Sequence, residues 1–201
     1  MDRAAISSSR NHSRAICIDT GDWPCICAVS NRSFIAASIA SRRARSNALP
    51  DRPAAWHAAL SPRGVTVRVL KQCPRTGAVL VYVYRPARVA RLLAAPHMLD
   101  FLAGEGYTPG TADELLDQLA ERLCCEGAFP HEIGVFLGYP LSDVVGFIEN
   151  SGRNFTCCGC WKAYGDPSAA QQHFAQLNKC TAVYLRLFRS GTPIQRLAVA
   201  A

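Results

Sequence analysis

The spacing of apolar residues changes sharply near residue 54. Beyond that position, apolar residues recur at regular intervals between turn-forming residues. Val65, Val67 and Val69 alternate with other residues, which predicts a strand with one apolar face. Residues 78–84 are almost continuously β-branched or aromatic, which predicts a strand buried on both faces. The link between them, residues 73–77, carries Pro and Gly in a turn pattern, so the two strands are expected to pair as a hairpin.

Helices are predicted where proline or a capping residue precedes apolar residues at helical spacing. Pro86 and Pro96 suit the first helical position and predict two short helices. Thr111 and Glu114 form a capping box ahead of a leucine-rich stretch, which predicts the clearest helix of the chain. Further helices are predicted to begin near Pro130, Ser142, Pro167 and Pro193, and residues 155–164 are predicted as a third strand. The fold class is therefore α/β or α+β, with a small central sheet of about three strands covered by several helices.

Residues 1–56 have a different texture. They contain nine Ser and eight Arg but neither Lys nor Glu, and they show no sustained periodicity. We therefore predict that residues 1–53 are a disordered or aberrant N-terminal segment, and that residues 54–201 form a single domain. Cys25 and Cys27 supply only two ligands, which is too few for a stable metal site.

Charge and hydropathy exclude several classes of partner. The formal net charge is +7, but residues 57–201 hold fourteen basic and eleven acidic residues, a net of only +3. A nucleic-acid partner is therefore not expected for the folded domain. The longest apolar runs fall short of eighteen residues, so no membrane partner is expected. The ten cysteines include adjacent pairs, which suit free thiols in a reducing, cytoplasmic compartment better than a disulfide framework.

His131 and Glu132 are candidate site residues at the start of a predicted helix. His131 is expected on the side of Val135, and Glu132 on the side of Phe136. A general base or a metal ligand is one interpretation of His131. The alternatives are a packing histidine and a helix-start carboxylate that favours the positive end of the helix dipole.

The predicted third strand carries the second group of candidates. Alternation along a regular strand would place Cys158, Cys160, Lys162 and Tyr164 on one face, and Phe155, Cys157, Trp161 and Ala163 on the other. Lys162 and Tyr164 suit an anionic ligand or a proton transfer, or they lie on a solvated face. Cys158 and Cys160, with His131, are candidate metal ligands, whereas Cys157 and Cys160 would point apart. Unreactive thiols are the alternative.

Several runs of residues together resemble one family. They are VYVYRP at 81–86, FPHEIGVFLGYP at 129–140, DVVGFIEN at 143–150, GCWKAYGD at 159–166 and KCT at 179–181. In order and spacing they resemble the bacterial domain-of-unknown-function family 3793, over roughly residues 54–199. The resemblance implies a cytoplasmic protein of mainly anaerobic bacteria, and it implies no established activity or cofactor.

The chain departs from the family pattern at two places. Cys160 stands where the family usually has an aromatic residue, and residues 1–53 lack the family's usual Cys-Pro-Thr-Leu stretch. We hypothesise that this segment is translated out of frame or from a misplaced start. Sequencing the locus tests this hypothesis, because an uninterrupted frame shared by close relatives would contradict it.

Three functions remain open from sequence. The first is an accessory protein that binds a small ligand, a metal or a cofactor. The second is an enzyme that uses His131 as base and Lys162 as electrostatic stabiliser. The third is an adaptor for a protein partner, such as a flavodoxin-like electron carrier. Walker, dinucleotide-binding, nucleophile-elbow and zinc-protease motifs do not occur in the sequence. A pocket that holds both His131 and Lys162 would favour the first two functions over the third.

Overall fold

The structure, a computed structural model, describes residues 34–39, 51–72, 79–123 and 129–198. Strands β1 (Phe34–Ile39), β2 (Thr66–Gln72) and β3 (Val79–Tyr84) form an antiparallel sheet with β3 in the centre. The predicted hairpin of β2 and β3 is present. Because both sheets of the described residues are small and antiparallel, the fold is α+β, one of the two predicted classes.

The described part of the chain contains eight α-helices. They are α1 (Asp51–Leu60), α2 (Pro86–Leu93), α3 (Pro96–Gly104), α4 (Ala112–Arg122), α5 (Ile133–Phe136), α6 (Leu141–Glu149), α7 (Pro167–Arg189) and α8 (Ile194–Leu197). The prolines predicted to open α2, α3 and α7 do so, and the Thr111–Glu114 capping box at the start of α4 is formed in both directions. None of these helices combines the length and apolar character that a bilayer crossing requires.

Strand β3 is covered on both faces, as its sequence predicts. Val79, Val81 and Val83 pack on one side against Trp56 and other side chains of the α1 region. Tyr82 and Tyr84 face the other side, where the larger core is built from residues of α2 to α6. The Tyr82 hydroxyl donates a hydrogen bond to the Phe136 carbonyl, which joins the sheet to α5. The period of two along β3 therefore separates two cores.

One valine of β2 is less buried than its pattern predicts. Val69 pairs with Val81, so it lies on the predicted face with Val67, but it is 44% exposed, whereas Leu70 is buried. The pairing register shifts between Val69 and Lys71, so one extra residue is inserted into β2. Leu70 is the inserted residue. It packs in the core that contains Tyr82, the register partner of Arg68, as regular alternation from Arg68 predicts.

The prediction of a single third strand at residues 155–164 is wrong. These residues form a tight hairpin of two short strands, β4 (Cys157–Cys158) and β5 (Lys162–Ala163), in a separate sheet. The third strand of the central sheet is β1, which lies within residues 1–53, and α1 spans the predicted boundary at residue 54. The boundary itself stays a prediction.

A third, smaller core fixes the hairpin to α7. It consists of Trp161, Ala163, Phe174 and Leu177. A Cβ atom added at Gly159 would lie 2.2 Å from the Phe174 ring, so only glycine allows the hairpin tip to approach the helix this closely. Beyond Leu177 the apolar side chains of α7 are only partly covered, and Tyr184 is exposed.

Candidate functional site

A cleft of about 160 Å³ lies between α5, α6 and the β4–β5 hairpin. Its lining residues come from three consecutive segments of the chain: His131, Ile133, Gly134, Tyr139, Asp143, Val144, Phe147, Cys160, Trp161 and Lys162. Most of this surface is apolar or aromatic, and a few polar groups converge on it. That combination is typical of a small-molecule site.

The wall formed by the hairpin is fixed by a buried carboxylate. Asp143, in the first turn of α6, is 7% exposed. Its Oδ2 accepts a hydrogen bond from Trp161 Nε1 at 2.7 Å, and its Oδ1 accepts one from the backbone N–H of Tyr164 at 2.8 Å. Both oxygens therefore have a donor, which offsets the cost of burying the charge. Trp161 is held further by Tyr139, whose ring stacks on it at a centroid distance of 4.9 Å.

Lys162 links the same hairpin to the other end of α6. Its Nζ donates a hydrogen bond of 2.6 Å to the carbonyl of Gly152, just after the end of α6. The ammonium also lies 5.7 Å from the Phe147 ring centroid and 5.1 Å from the Phe155 ring centroid. A cation is favoured at this position because the carbonyl end of a helix carries partial negative charge and aromatic faces attract cations.

His131 stands at the mouth of the cleft. Its ring lies 4.8 Å from the ring of Phe147 and 5.8 Å from the ring of Phe129, measured between centroids. The residue is exposed, although Val135, expected on its side, is fully buried. The difference arises because residues 131 and 132 form a turn before α5, so helical spacing does not apply to them. Phe147 is the common neighbour of His131 and Lys162.

Glu132 lies away from the cleft. It is 5% exposed, accepts a hydrogen bond from the Tyr107 hydroxyl at 3.1 Å and lies 3.6 Å from an Arg122 guanidinium nitrogen. Burial and the adjacent Glu132 carboxylate raise the pKa of Tyr107. These contacts of Glu132 join α4 to the turn before α5.

Tyr164 also lies outside the cleft lining. Its ring packs directly on Gly146 of α6, where an added Cβ would lie 2.5 Å from the ring. Burial of the Tyr164 hydroxyl, together with the Asp143 charge, raises the pKa of this side chain. What Tyr164 gives to the site is its backbone N–H, which holds Asp143.

The cysteines are separated by the turn of the hairpin. Cys160 lines the cleft, whereas Cys158 is exposed on β4 and pairs across the hairpin with Lys162. Burial raises the pKa of Cys160, which favours its thiol over the thiolate that metals and nucleophilic reactions require. Within the described residues, no three side chains of His, Cys, Asp or Glu come close enough to hold a metal ion. Cys157 and Cys160, expected to point apart, both contact the core around Trp161.

Of the predicted site residues, the fold brings His131, Cys160 and Lys162 to one cleft. Sequence reasoning missed Asp143, Tyr139 and Phe147. A signal for Asp143 existed, since a carboxylate in the first turn of an apolar helix invites a partner. Its donors, however, are eighteen and twenty-one residues away, and no local pattern reveals them. The catalytic, binding and metal roles proposed for these residues stay predictions.

Fold and site together define a small α+β protein with an aromatic-lined cleft between a helical turn and a β-hairpin. The chain matches the family described as protein of unknown function (DUF3793) over residues 26–198, and it therefore belongs to that family. The matched range confirms the resemblance seen in the sequence and extends it into the segment before residue 54. Comparison with curated proteins and with solved structures gives no match.

Proposed function

We propose that this chain binds a small, planar, mainly apolar ligand in the cleft between α5, α6 and the hairpin. The observation that carries the proposal is the lining, in which the rings of Tyr139, Phe147 and Trp161 surround the space beside Lys162. Aromatic walls favour flat ligands because stacked and edge-to-face contacts add to the burial of apolar area. A volume of about 160 Å³ suits a single substituted ring, since an apolar cavity of about 150 Å³ holds benzene.

Binding is favoured over catalysis by the state of the candidate catalytic groups. Within the described residues, the His131 ring contacts phenylalanine rings and has no hydrogen-bonding partner that would orient it as a base. Lys162 already donates to the Gly152 carbonyl, and burial raises the pKa of Cys160, which disfavours the reactive thiolate. An accessory role in the cytoplasm of an anaerobic bacterium is part of this proposal and follows from the family resemblance.

The enzyme and the adaptor remain the alternatives. His131 and Lys162 share the cleft, which supports a site that uses both and favours the enzyme over the adaptor. The adaptor is supported by Val183, Tyr184 and Leu187, which leave an apolar stripe exposed on α7. If the protein had this exposed stripe and no cleft, the adaptor function would be favoured over ligand binding.

The proposal is tested by screening small aromatic compounds against the full chain by protein-observed NMR, with the Trp161 indole N–H as reporter. Cys160→Phe would fill the cleft from its edge and is expected to abolish the shifts caused by binders. Cys158→Phe is the matched control, because the same ring is placed two residues away on an exposed strand. Circular dichroism establishes that both variants are folded. If binders shift Trp161 equally in the two variants, the ligand does not occupy the cleft.

A further inference from the structure

The two charged side chains that line the cleft differ in how freely they can interact with a ligand. Among the lining residues, Asp143 and Lys162 carry formal charge at neutral pH. Asp143 is buried, and each of its oxygens already accepts a short hydrogen bond from the hairpin. Its negative charge is therefore committed to holding the cleft wall and is shielded from the interior of the cleft.

The Lys162 ammonium uses fewer of its hydrogen-bonding groups within the protein. An ammonium has three donors, and one of them bonds to the Gly152 carbonyl. Lys162 is half-buried, and its Nζ lies between the rings of Phe147 and Phe155 at centroid distances of 5.7 and 5.1 Å. Aromatic neighbours replace part of the water around the cation, so its attraction for an anion is stronger than it would be on an open surface.

From these observations we infer that the cleft selects an aromatic monoanion, a ring carrying one carboxylate-like group. The ring lies between Tyr139, Phe147 and Trp161, and the anionic group accepts hydrogen bonds from Lys162. His131, at the mouth beside the same Phe147 ring, adds a second donor to that end of the cleft. This inference rests on the proposed function, since it names the class of ligand for the same cleft.

The test compares three ring compounds of nearly equal size and different charge: benzoate, benzyl alcohol and benzylamine. Each is titrated at neutral pH into the full-length protein, and the dissociation constant is taken from the Trp161 indole resonance. Benzoate is expected to bind about tenfold more tightly than benzyl alcohol, and benzylamine more weakly than either, because Lys162 attracts the first and repels the last.

Two variants isolate the ammonium. Lys162→Met removes the charge and is expected to make benzoate and benzyl alcohol bind equally, whereas Lys162→Arg retains the charge and the preference. Lys179→Met is the control for net charge, since Lys179 is an exposed cation on α7. If Lys162→Met does not fold, the comparison of Lys162→Arg with the unmodified protein, together with loss of the benzoate preference at high salt, carries the test.

The outcomes separate the two proposals. Equal or tighter binding of benzyl alcohol or benzylamine by the unmodified protein overturns the anionic class and leaves a ligand cleft in place. If none of the three compounds shifts the Trp161 resonance, the aromatic monoanion is not the ligand class. If the wider screen of aromatic compounds also finds no binder, the cleft is not a ligand site. A benzoate preference that survives Lys162→Met overturns the role of Lys162, whatever the result with Lys179→Met.

Discussion

Among single residues, Asp143 joins the most distant parts of the site. Its carboxylate links the first turn of α6 to Trp161 and to the backbone of Tyr164. We expect Asp143→Ala to lower the free energy of unfolding by about 3 kcal/mol, because one buried and one partly buried donor lose their acceptor. Urea unfolding measures the change. Asp100→Ala, at an exposed position of α3, is the control and is expected to be nearly neutral. A similar loss in both variants would contradict the role of Asp143.

Gly159 sets the distance between the hairpin and α7. An added Cβ would lie 2.2 to 2.7 Å from three atoms of the Phe174 ring, so the ring has to move. Gly159→Ala is expected to destabilise the protein by about 2 kcal/mol, as overpacking of a core does. Thermal unfolding measures it. Gly165→Ala is a matched control at the other end of the hairpin, where an added Cβ meets nothing within 4 Å.

A second substitution tests the cause. If the ring of Phe174 is the obstacle, Phe174→Leu costs less in the Gly159→Ala background than in the unmodified chain, and the double-mutant cycle gives a coupling energy. Additive effects of the two substitutions would mean that the glycine is required for a different reason.

At the level of elements, the start of α4 supplies a pH-dependent contribution. The Glu114 side chain accepts hydrogen bonds from the Thr111 N–H and hydroxyl, and these lower the pKa of Glu114 from its usual 4.5. Since the pKa is lower in the folded state than in the unfolded state, the capping box stabilises α4 above the unfolded-state pKa. This contribution is lost as the pH falls through the folded-state pKa.

The variant Glu114→Gln tests this dependence. It is expected to melt below the unmodified protein at pH 7, and the difference in melting temperature is expected to shrink towards pH 3. Glu121→Gln, an exposed carboxylate near the other end of α4, is the control and should show no such trend. A difference that grows on acidification would contradict the assigned direction of the Glu114 pKa.

The sequence predicts those elements whose signals are local. Pro86, Pro96 and the Thr111–Glu114 box act within one helical turn, and the helices they open are present. The exposure of Val69 and the bulge that follows it depend on how β2 packs and pairs with β3, which no local pattern encodes. The hairpin at residues 157–163 was missed because the apolar run there serves a separate core with Phe174 of α7.

The same distinction applies to the site. The motifs around His131 and Lys162 marked residues that meet in one cleft, although they are 31 positions apart in the chain (162 − 131). Glu132, adjacent to His131, turns into the core instead, because the direction of a side chain in a turn depends on its tertiary partners. Adjacency in sequence therefore identified the region of the site and some of its members, but it wrongly included Glu132.

Across the whole molecule, the central sheet depends on a strand from the N-terminal segment. All six residues of β1 pair with β3, the central strand, in an antiparallel register. A chain that starts at Ala54 would lack β1 and expose the edge of β3, which is apolar along its length. We expect this fragment to self-associate, as unprotected edge strands do. Light scattering at increasing concentration measures this association.

A longer fragment provides the control for that experiment. A chain that starts at residue 26, where the family match begins, retains β1 and is expected to stay in the same oligomeric state as the full-length protein. If the fragment from Ala54 is as stable and as dispersed as the longer one, the domain boundary predicted at residue 54 is supported and β1 is dispensable.

The attachment of the hairpin at both ends of α6 has a kinetic consequence. Asp143 holds the hairpin at the first turn of the helix, and Lys162 holds it just after the last turn. The cleft wall therefore cannot swing outward without breaking one of these links, so the site exists before any ligand arrives. Association is then expected in a single step, with an observed rate that rises linearly with ligand concentration in stopped-flow measurements. A rate that reaches a plateau would instead indicate that a slow opening precedes or follows binding.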